Sequence, residues 1–266
     1  MRDSDYDLIK LEATMEGLAV VTINRPDVHN AFNMELIAEL TDAFKTIAAE
    51  ETIRMMILRG AGPSFSAGAD LNWMKRAAEH TKEDNVRDAL NLAEMLQSLY
   101  EMPQMTLAMV QGAAMGGGAG LVAACDMAVA MANAKFRFSE VRLGLTPATI
   151  SPYVIDAIGP RQARALFVTG EVFDAGHAEK IGLVHYVVED LAEMTKMEEH
   201  IANLVFSAAP GAVADCKKLV ADVTGQIIDR DLSHETAKRI AVRRASDEGR
   251  EGIAAFLEKR APSWVK

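Results

Sequence analysis

The sequence predicts an α/β fold followed by a purely helical C-terminal region. Three observations carry that expectation. Apolar, β-forming runs recur at Leu18–Asn24, Arg54–Gly60 and Thr106–Val110. Nearly continuous runs of this kind suit strands buried on both faces, as in parallel sheets. Stretches with helical spacing lie between them, as crossover connections require, and after Leu183–Val188 only helical patterns remain.

Taken in order, Asp7–Thr14 alternates as a strand and Leu18–Asn24 is strongly β-forming, with Glu16-Gly17 between them as a hairpin turn. Arg25-Pro26-Asp27 then breaks the sheet. Asn33 is placed to cap a helix through about Ala49, with Leu36, Ile37, Leu40, Phe44 and Ile47 on one stripe. The strand at Arg54–Gly60 leads into a loop, Gly60–Gly68, and a helical stretch from Ala69. Thr81 caps a longer helix reaching Tyr100. Thr106–Val110 runs into a Gly-rich turn, Gly112–Gly120, that opens a further helix; Met127–Met131 and Lys135–Glu140 read as extended. Helices follow at about 191–207, 210–222, 231–245 and 247–259, so a boundary is expected near 200, dividing residues 1–200 from 201–266.

Composition narrows the function. The chain has 266 residues, 50% hydrophobic and 25% charged, enough for a large core and unlike a disordered chain. A net charge of −10 disfavours binding to a nucleic-acid backbone. Cys125 and Cys216 form no C-x-x-C motif, and six histidines have no metal-binding spacing, so no disulfide framework and no metal are expected. The first residues are polar and acidic rather than leader-like, and no apolar run reaches the roughly 20 residues of a membrane helix. These features together suggest a cytoplasmic protein that engages no membrane.

Three segments carry candidate chemistry. Phe65-Ser66-Ala67-Gly68-Ala69-Asp70-Leu71 follows a strand with small residues that let a ligand reach the backbone. A helix starting near Asp70 would leave N–H groups such as that of Ala69 open. Gln111–Leu121 contains Gly116-Gly117-Gly118; glycines in a helix interior cost about 1 kcal/mol each, so these suit backbone access at a helix start. A phosphate-binding turn, an oxyanion hole and tight packing all fit that run. Leu121 stands where a dinucleotide fingerprint needs its third Gly, and no Gly-Lys-Ser/Thr follows, which speaks against nicotinamide and P-loop nucleotides. In Phe136–Pro147, an extended chain would turn Phe136, Phe138 and Glu140 to one side. A carboxyl desolvated there gains a raised pKa useful for proton transfer, whereas an ion pair of Glu140 with Arg137 or Arg142 is the structural alternative.

In this order the three segments resemble the enoyl-CoA hydratase/isomerase (crotonase) superfamily. Asn24-Arg25-Pro26, Asn30-Ala31-Phe32, Thr169-Gly170, Ala178 with Ile181-Gly182-Leu183-Val184, and Phe256 with Lys259-Arg260 extend the resemblance over almost the whole chain. It implies a spiral of ββα units with a C-terminal helical trimerisation region, and a homotrimer or a hexamer built as a dimer of trimers. It implies an acyl-CoA thioester as substrate, coenzyme A entering as part of that substrate with no separate cofactor. The N–H groups of Ala69 and Gly117 would form the oxyanion hole and Glu140 would do the proton work. His29, Ala31 and Ala67 would lie along the CoA, with Gly68, Asp70, Leu71 and Gly116 beside the substrate. Phe256 and Lys259, of the same or a neighbouring subunit, would approach the adenine and 3′-phosphate, although a basic helix end explains Lys259-Arg260 equally well.

One departure bears on the reaction. Hydratases resembling this chain commonly carry two glutamates; the second falls on Glu140, and the first falls on Gly120. The run Ser139–Pro152 looks like the bacterial methylglutaconyl-CoA hydratase group of leucine breakdown, which implies hydration of a branched enoyl-CoA. In that reading Arg142 faces a distal carboxylate of the substrate, or else makes an ordinary ion pair. A Δ3,Δ2-enoyl-CoA isomerase, for which one carboxyl suffices, is the alternative.

Overall fold

The apolar runs become strands because only pairing on both sides satisfies their backbone while their side chains stay dry. The structure, a computed structural model, describes residues 6–265, so the polar first residues lie outside it. β1 (Ile9–Ala13) and β2 (Leu18–Ile23) form the antiparallel hairpin, with Ile9 opposite Ile23 and Ala13 opposite Ala19. β2 then runs parallel to β3 (Met55–Gly60), Leu18 pairing with Met55 and Ile23 with Gly60. β4 (Met105–Val110), buried along its whole length, runs parallel to β6 (Met127–Met131), and β9 (Tyr186–Val188) closes the six-stranded order β1-β2-β3-β4-β6-β9.

A second, three-stranded sheet contains β5 (Ala113–Met115), β7 (Lys135–Arg137) and β8 (Val172–Asp174), in the order β5-β7-β8. β5 lies inside the segment expected to be a glycine-rich turn. Three small or apolar residues carry no period of their own; pairing with β7 and a bridge from Ser66 to Ala114 make the strand.

Helices connect the strands as their caps direct. α1 (Met34–Ala48) is capped by Asn33, whose side chain accepts from the Leu36 N–H at 2.9 Å, and it buries Leu36, Ile37, Leu40, Phe44 and Ile47. α2 (Leu71–Ala77) is capped by Asp70, and α3 (Lys82–Tyr100) by a reciprocal capping box between Thr81 and Asp84. α4 (Gly117–Ala124) begins at the glycine run and is almost entirely buried. α5 (Ser151–Thr169) breaks at Gly159, φ 73° and ψ 158°, just before Pro160, and α6 (Ala175–Ile181) leads to β9.

The chain divides into two compact units, one of residues up to Met102 with Thr106–Glu198, the other of Pro103–Met105 with Glu199 onward. In the second unit the end of α7 (Leu191–Ser207) is followed by α8 (Pro210–Val223), α9 (Arg230–Ala245) and α10 (Asp247–Glu258). Arg243 ties α8 to the start of α10 by ion pairs with Asp215 and Glu248. Trp264 Nε1 donates to the Ser207 carbonyl at 3.1 Å. Its surface keeps Ile227, Ile228, Val242, Phe256 and Leu257 exposed.

Phe44 is fully buried in the core of the first unit. Phe44→Ala is expected to lower the unfolding free energy by about 3–5 kcal/mol, read as a lower denaturant midpoint. An unchanged midpoint would contradict this packing.

Candidate active site

The site is assembled around residues 29–32. His29 and Asn30 both adopt the left-handed conformation, φ 53° and 56°, which for non-glycine residues costs about 1–2 kcal/mol each. The Asn30 side chain holds this turn in place. Its Oδ1 accepts from the Arg25 N–H at 2.8 Å, and its Nδ2 donates to the carbonyls of Ala61 and Ser64 at 2.8 and 2.7 Å. Its own carbonyl accepts from Ser66 Oγ at 2.8 Å. The turn thereby sets the course of the 64–70 segment, and the Ala67 N–H donates to the His29 carbonyl at 2.9 Å.

Phe32 completes the joint. Its N–H donates to the Gly68 carbonyl at 2.6 Å, and its carbonyl accepts from the Asp70 N–H at 2.8 Å. This is a parallel bridge that brackets Ala69 and turns the Ala69 N–H away from Phe32. The phenyl ring meanwhile covers Gly117 so closely that an added methyl there would lie 2.5 Å from Cε2. One residue thus fixes both backbone segments. Among the described residues, no acceptor within the protein takes the N–H of Ala69 or that of Gly117. Gly117 is the first residue of α4, where open donors and the helix dipole favour developing negative charge. Ala69 precedes the Asp70 cap, so its open N–H comes from the bridge rather than from the helix start that its sequence suggests.

Glu140 approaches the same helix end. The chain leaves β7 after Arg137, and Ser139 has φ −88° and ψ −7°, so the extended run does not reach Glu140. The expected sharing of one strand face by Phe136, Phe138 and Glu140 is therefore corrected: a 3-10 turn, Glu140–Leu143, carries the carboxyl instead. Phe136 and Phe138 are buried against Phe173, and Phe138 also against Phe167. The Glu140 Oε1 lies 3.2 Å from where a methyl on Gly116 would sit, and Oε2 is buried without a partner. Burial pushes this carboxyl above its ordinary range, opposed only by its own backbone N–H. Glu140 makes no ion pair among the described residues, and Arg137 Nε instead donates to the Gly170 carbonyl at 2.7 Å.

The other expected contacts fall into three groups. Ala67 and Ala69 are exposed at the edge of the 64–70 segment, His29 is exposed with Nδ1 3.2 Å from Ser64 Oγ, and Ala31 is buried. Gly68, φ 89°, lets the segment pass the Met115 carbonyl, 3.0 Å from where a Cβ would sit. The Asp70 carboxylate is engaged inside the protein. Burial raises its pKa, but N–H donation from Asn72, the Arg25 guanidinium and the Trp73 N–H together hold it below the usual range. Leu71 is 74% exposed. Arg142 is exposed and, among the described residues, has no ion pair, against the ordinary salt bridge weighed for it; its stem lies along Gly170. Phe256, 82% exposed, and Lys259, the left-handed cap of α10, belong to the second unit. Sequence reasoning did not single out Ser66 or the structural part of Asn30; their signal is only that a buried polar side chain must find partners.

An open amide beside a glycine-started helix, a second open amide on an adjoining loop and a desolvated carboxyl are carried on a crotonase-type fold. The chain belongs to the enoyl-CoA hydratase/isomerase family, whose model matches residues 13–266. It is 34% identical to a crotonyl-CoA hydratase of Syntrophomonas wolfei over 98% of both chains. A solved enoyl-CoA hydratase of Shewanella pealeana superposes with a TM-score of 0.95 at 37% identity, covering 98% of this chain and 97% of that one. An enoyl-CoA hydratase/isomerase of Marinobacter aquaeolei gives 0.91 at 36% identity, covering 97% and 99%.

The Glu140 environment makes a stability prediction. A carboxyl whose folded pKa exceeds its unfolded value, ordinarily 4.5, opposes folding when ionised. That cost is present above the folded pKa and disappears as pH falls below 4.5. Glu140→Gln is expected to melt above the parent at pH 8, with the gap closing by pH 4. A gap that widens in acid would reverse the assigned direction.

Proposed function

We propose that this enzyme hydrates the 2,3 double bond of a branched, methylglutaconyl-type enoyl-CoA. The supporting observation is the Glu140 carboxyl standing against Gly116, beside the open N–H of Gly117, with Phe32 linking that helix start to the open N–H of Ala69.

The chemistry follows from charge placement. Glu140 as carboxylate takes a proton from water while the water oxygen bonds to C3. The C2–C3 π pair moves toward the thioester, and the oxygen gains negative charge. The Ala69 and Gly117 N–H groups are the donors assigned to that oxygen; losing one such donor typically costs ~3–4 kcal/mol of barrier. Glu140, now protonated, returns its proton to C2, the thioester carbonyl re-forms and the carboxylate is regenerated. A raised pKa suits both halves, because base and acid strength are best balanced near the working pH.

The branched substrate rests on the likeness of Ser139–Pro152 to methylglutaconyl-CoA hydratases. Arg142, exposed and without an ion pair among the described residues, stands two residues beyond Glu140 and suits a distal carboxylate. CoA is held as part of the substrate, with His29, Ala31 and Ala67 along it, Phe256 and Lys259 of a neighbouring subunit are assigned to its nucleotide end, and no separate cofactor takes part. The apolar surface at Ile227, Ile228, Val242, Phe256 and Leu257 supports a homotrimer or a dimer of trimers. A Δ3,Δ2-isomerase is the second reading, favoured by the glycine at position 120, since one carboxyl can carry a proton from C4 to C2.

Parallel assays with a 2-enoyl-CoA and a 3-enoyl-CoA, followed at the conjugated thioester absorbance, separate the readings. Loss of that absorbance from the 2-enoyl substrate is expected; its appearance from the 3-enoyl substrate alone would favour the isomerase. Glu140→Gln should lower kcat by about 10²–10⁴-fold. Arg142→Gln should raise KM for methylglutaconyl-CoA roughly tenfold while sparing crotonyl-CoA, as loss of an anion contact requires. Equal effects on the two substrates would remove the carboxylate role of Arg142.

A further inference from the structure

The start of α4 brings two glycines close together, and different side chains fill the two spaces they leave. The Gly120 N–H donates to the Gly116 carbonyl at 3.0 Å, which holds the two residues one turn apart. Gly116 is the non-helical cap, φ 51° and ψ −118°, so this hydrogen bond rather than helical spacing sets it beside Gly120. Opposite Gly116 stands the Glu140 carboxyl. Opposite Gly120 stands Ile150: an added methyl would lie 2.3 Å from its Cγ2 and 2.9 Å from its Cβ. Those distances are shorter than heavy atoms tolerate, so a side chain at 120 and an isoleucine at 150 exclude each other. Ile150 is 2% exposed, at the buried entry to α5, where it has little room to swing aside.

We propose that Ile150, seated on Gly120, is a positioning residue that sets the polarity beside Glu140: its hydrocarbon takes the volume that a second polar group on α4 would need, so that both proton transfers run through one carboxyl. The proposal deepens the hydration reading and rests on it. It accounts for a carboxyl with an unpartnered buried oxygen at the mouth of a helix whose nearby edge carries no side chain. Desolvation of Glu140 is then maintained by an apolar neighbour brought in from α5, a segment remote in sequence from the helix it lines.

Valine and threonine test this directly, being close in shape and different in polarity. In Ile150→Thr the acid limb of the kcat/KM profile is expected to move down by about one pH unit, as a polar wall relieves the burial that raises Glu140. Ile150→Val should keep the parent profile. Coincident profiles for the two variants would overturn the proposal. A melting cycle reads the packing without substrate. Gly120→Ala should lower Tm by several degrees in the parent and scarcely at all on an Ile150→Gly background. An equal drop on both backgrounds would overturn the pairing. A parent that turns over neither thioester overturns the functional reading alone, while the melting cycle still decides whether Ile150 holds the space at Gly120.

Discussion

The clamp at Phe32 is the constraint on which the site depends. Its backbone brackets Ala69 and its ring seals against Gly117, so two amides far apart in sequence are positioned by one residue. Neither amide could be left open by chance. Backbone donors in a folded chain are nearly all paired, and an open one survives where neighbouring bonds use up the available acceptors and water or a ligand can reach it. The Phe32 bridge does this at Ala69; the helix start does it at Gly117. The clamp is stiff because it is anchored behind itself. His29 and Asn30 hold strained backbone, and the hydrogen bonds of Asn30 to Arg25, Ala61, Ser64 and Ser66 stabilise it.

The carboxyl works by the opposite device. A buried acceptor without a partner costs about 1–3 kcal/mol, and Glu140 Oε2 is such an atom. In the proposed reaction the amides would hold fixed dipoles ready for charge that appears on the thioester oxygen, while burial holds the carboxyl above its ordinary range. Both devices need a water-poor boundary. Glycines at 116, 117 and 120 let that boundary close from outside α4, with Glu140, Phe32 and Ile150 each occupying the space one glycine leaves.

Several elements were legible in the sequence. Asn33 and Thr81 cap the helices their side chains suggest, because capping is decided within a few residues. The apolar runs at Leu18, Met55 and Thr106 became strands, because a run too apolar to be solvated on either face has few other solutions. β5 and the 3-10 turn at Glu140 were not legible. β5 exists through its pairing with β7, and the chain leaves its extended path at Ser139, a residue type that permits either conformation. Asp70 is of another kind: the segment pointed to ligand contact, whereas its carboxylate caps α2 and pairs with Arg25.

The sequence by itself determined which residues could do chemistry here: a small-residue loop, a glycine run opening a helix, and one glutamate after a strand. These are local properties of residue type and order, readable wherever backbone access and charge depend on a few neighbours. Only the tertiary structure decided how they meet. The Phe32 ring on Gly117, the Glu140 carboxyl on Gly116 and Ile150 on Gly120 join positions 24 to 85 residues apart. Such contacts are selected by how volumes fill a shared interior, and that packing leaves no period or motif along the chain.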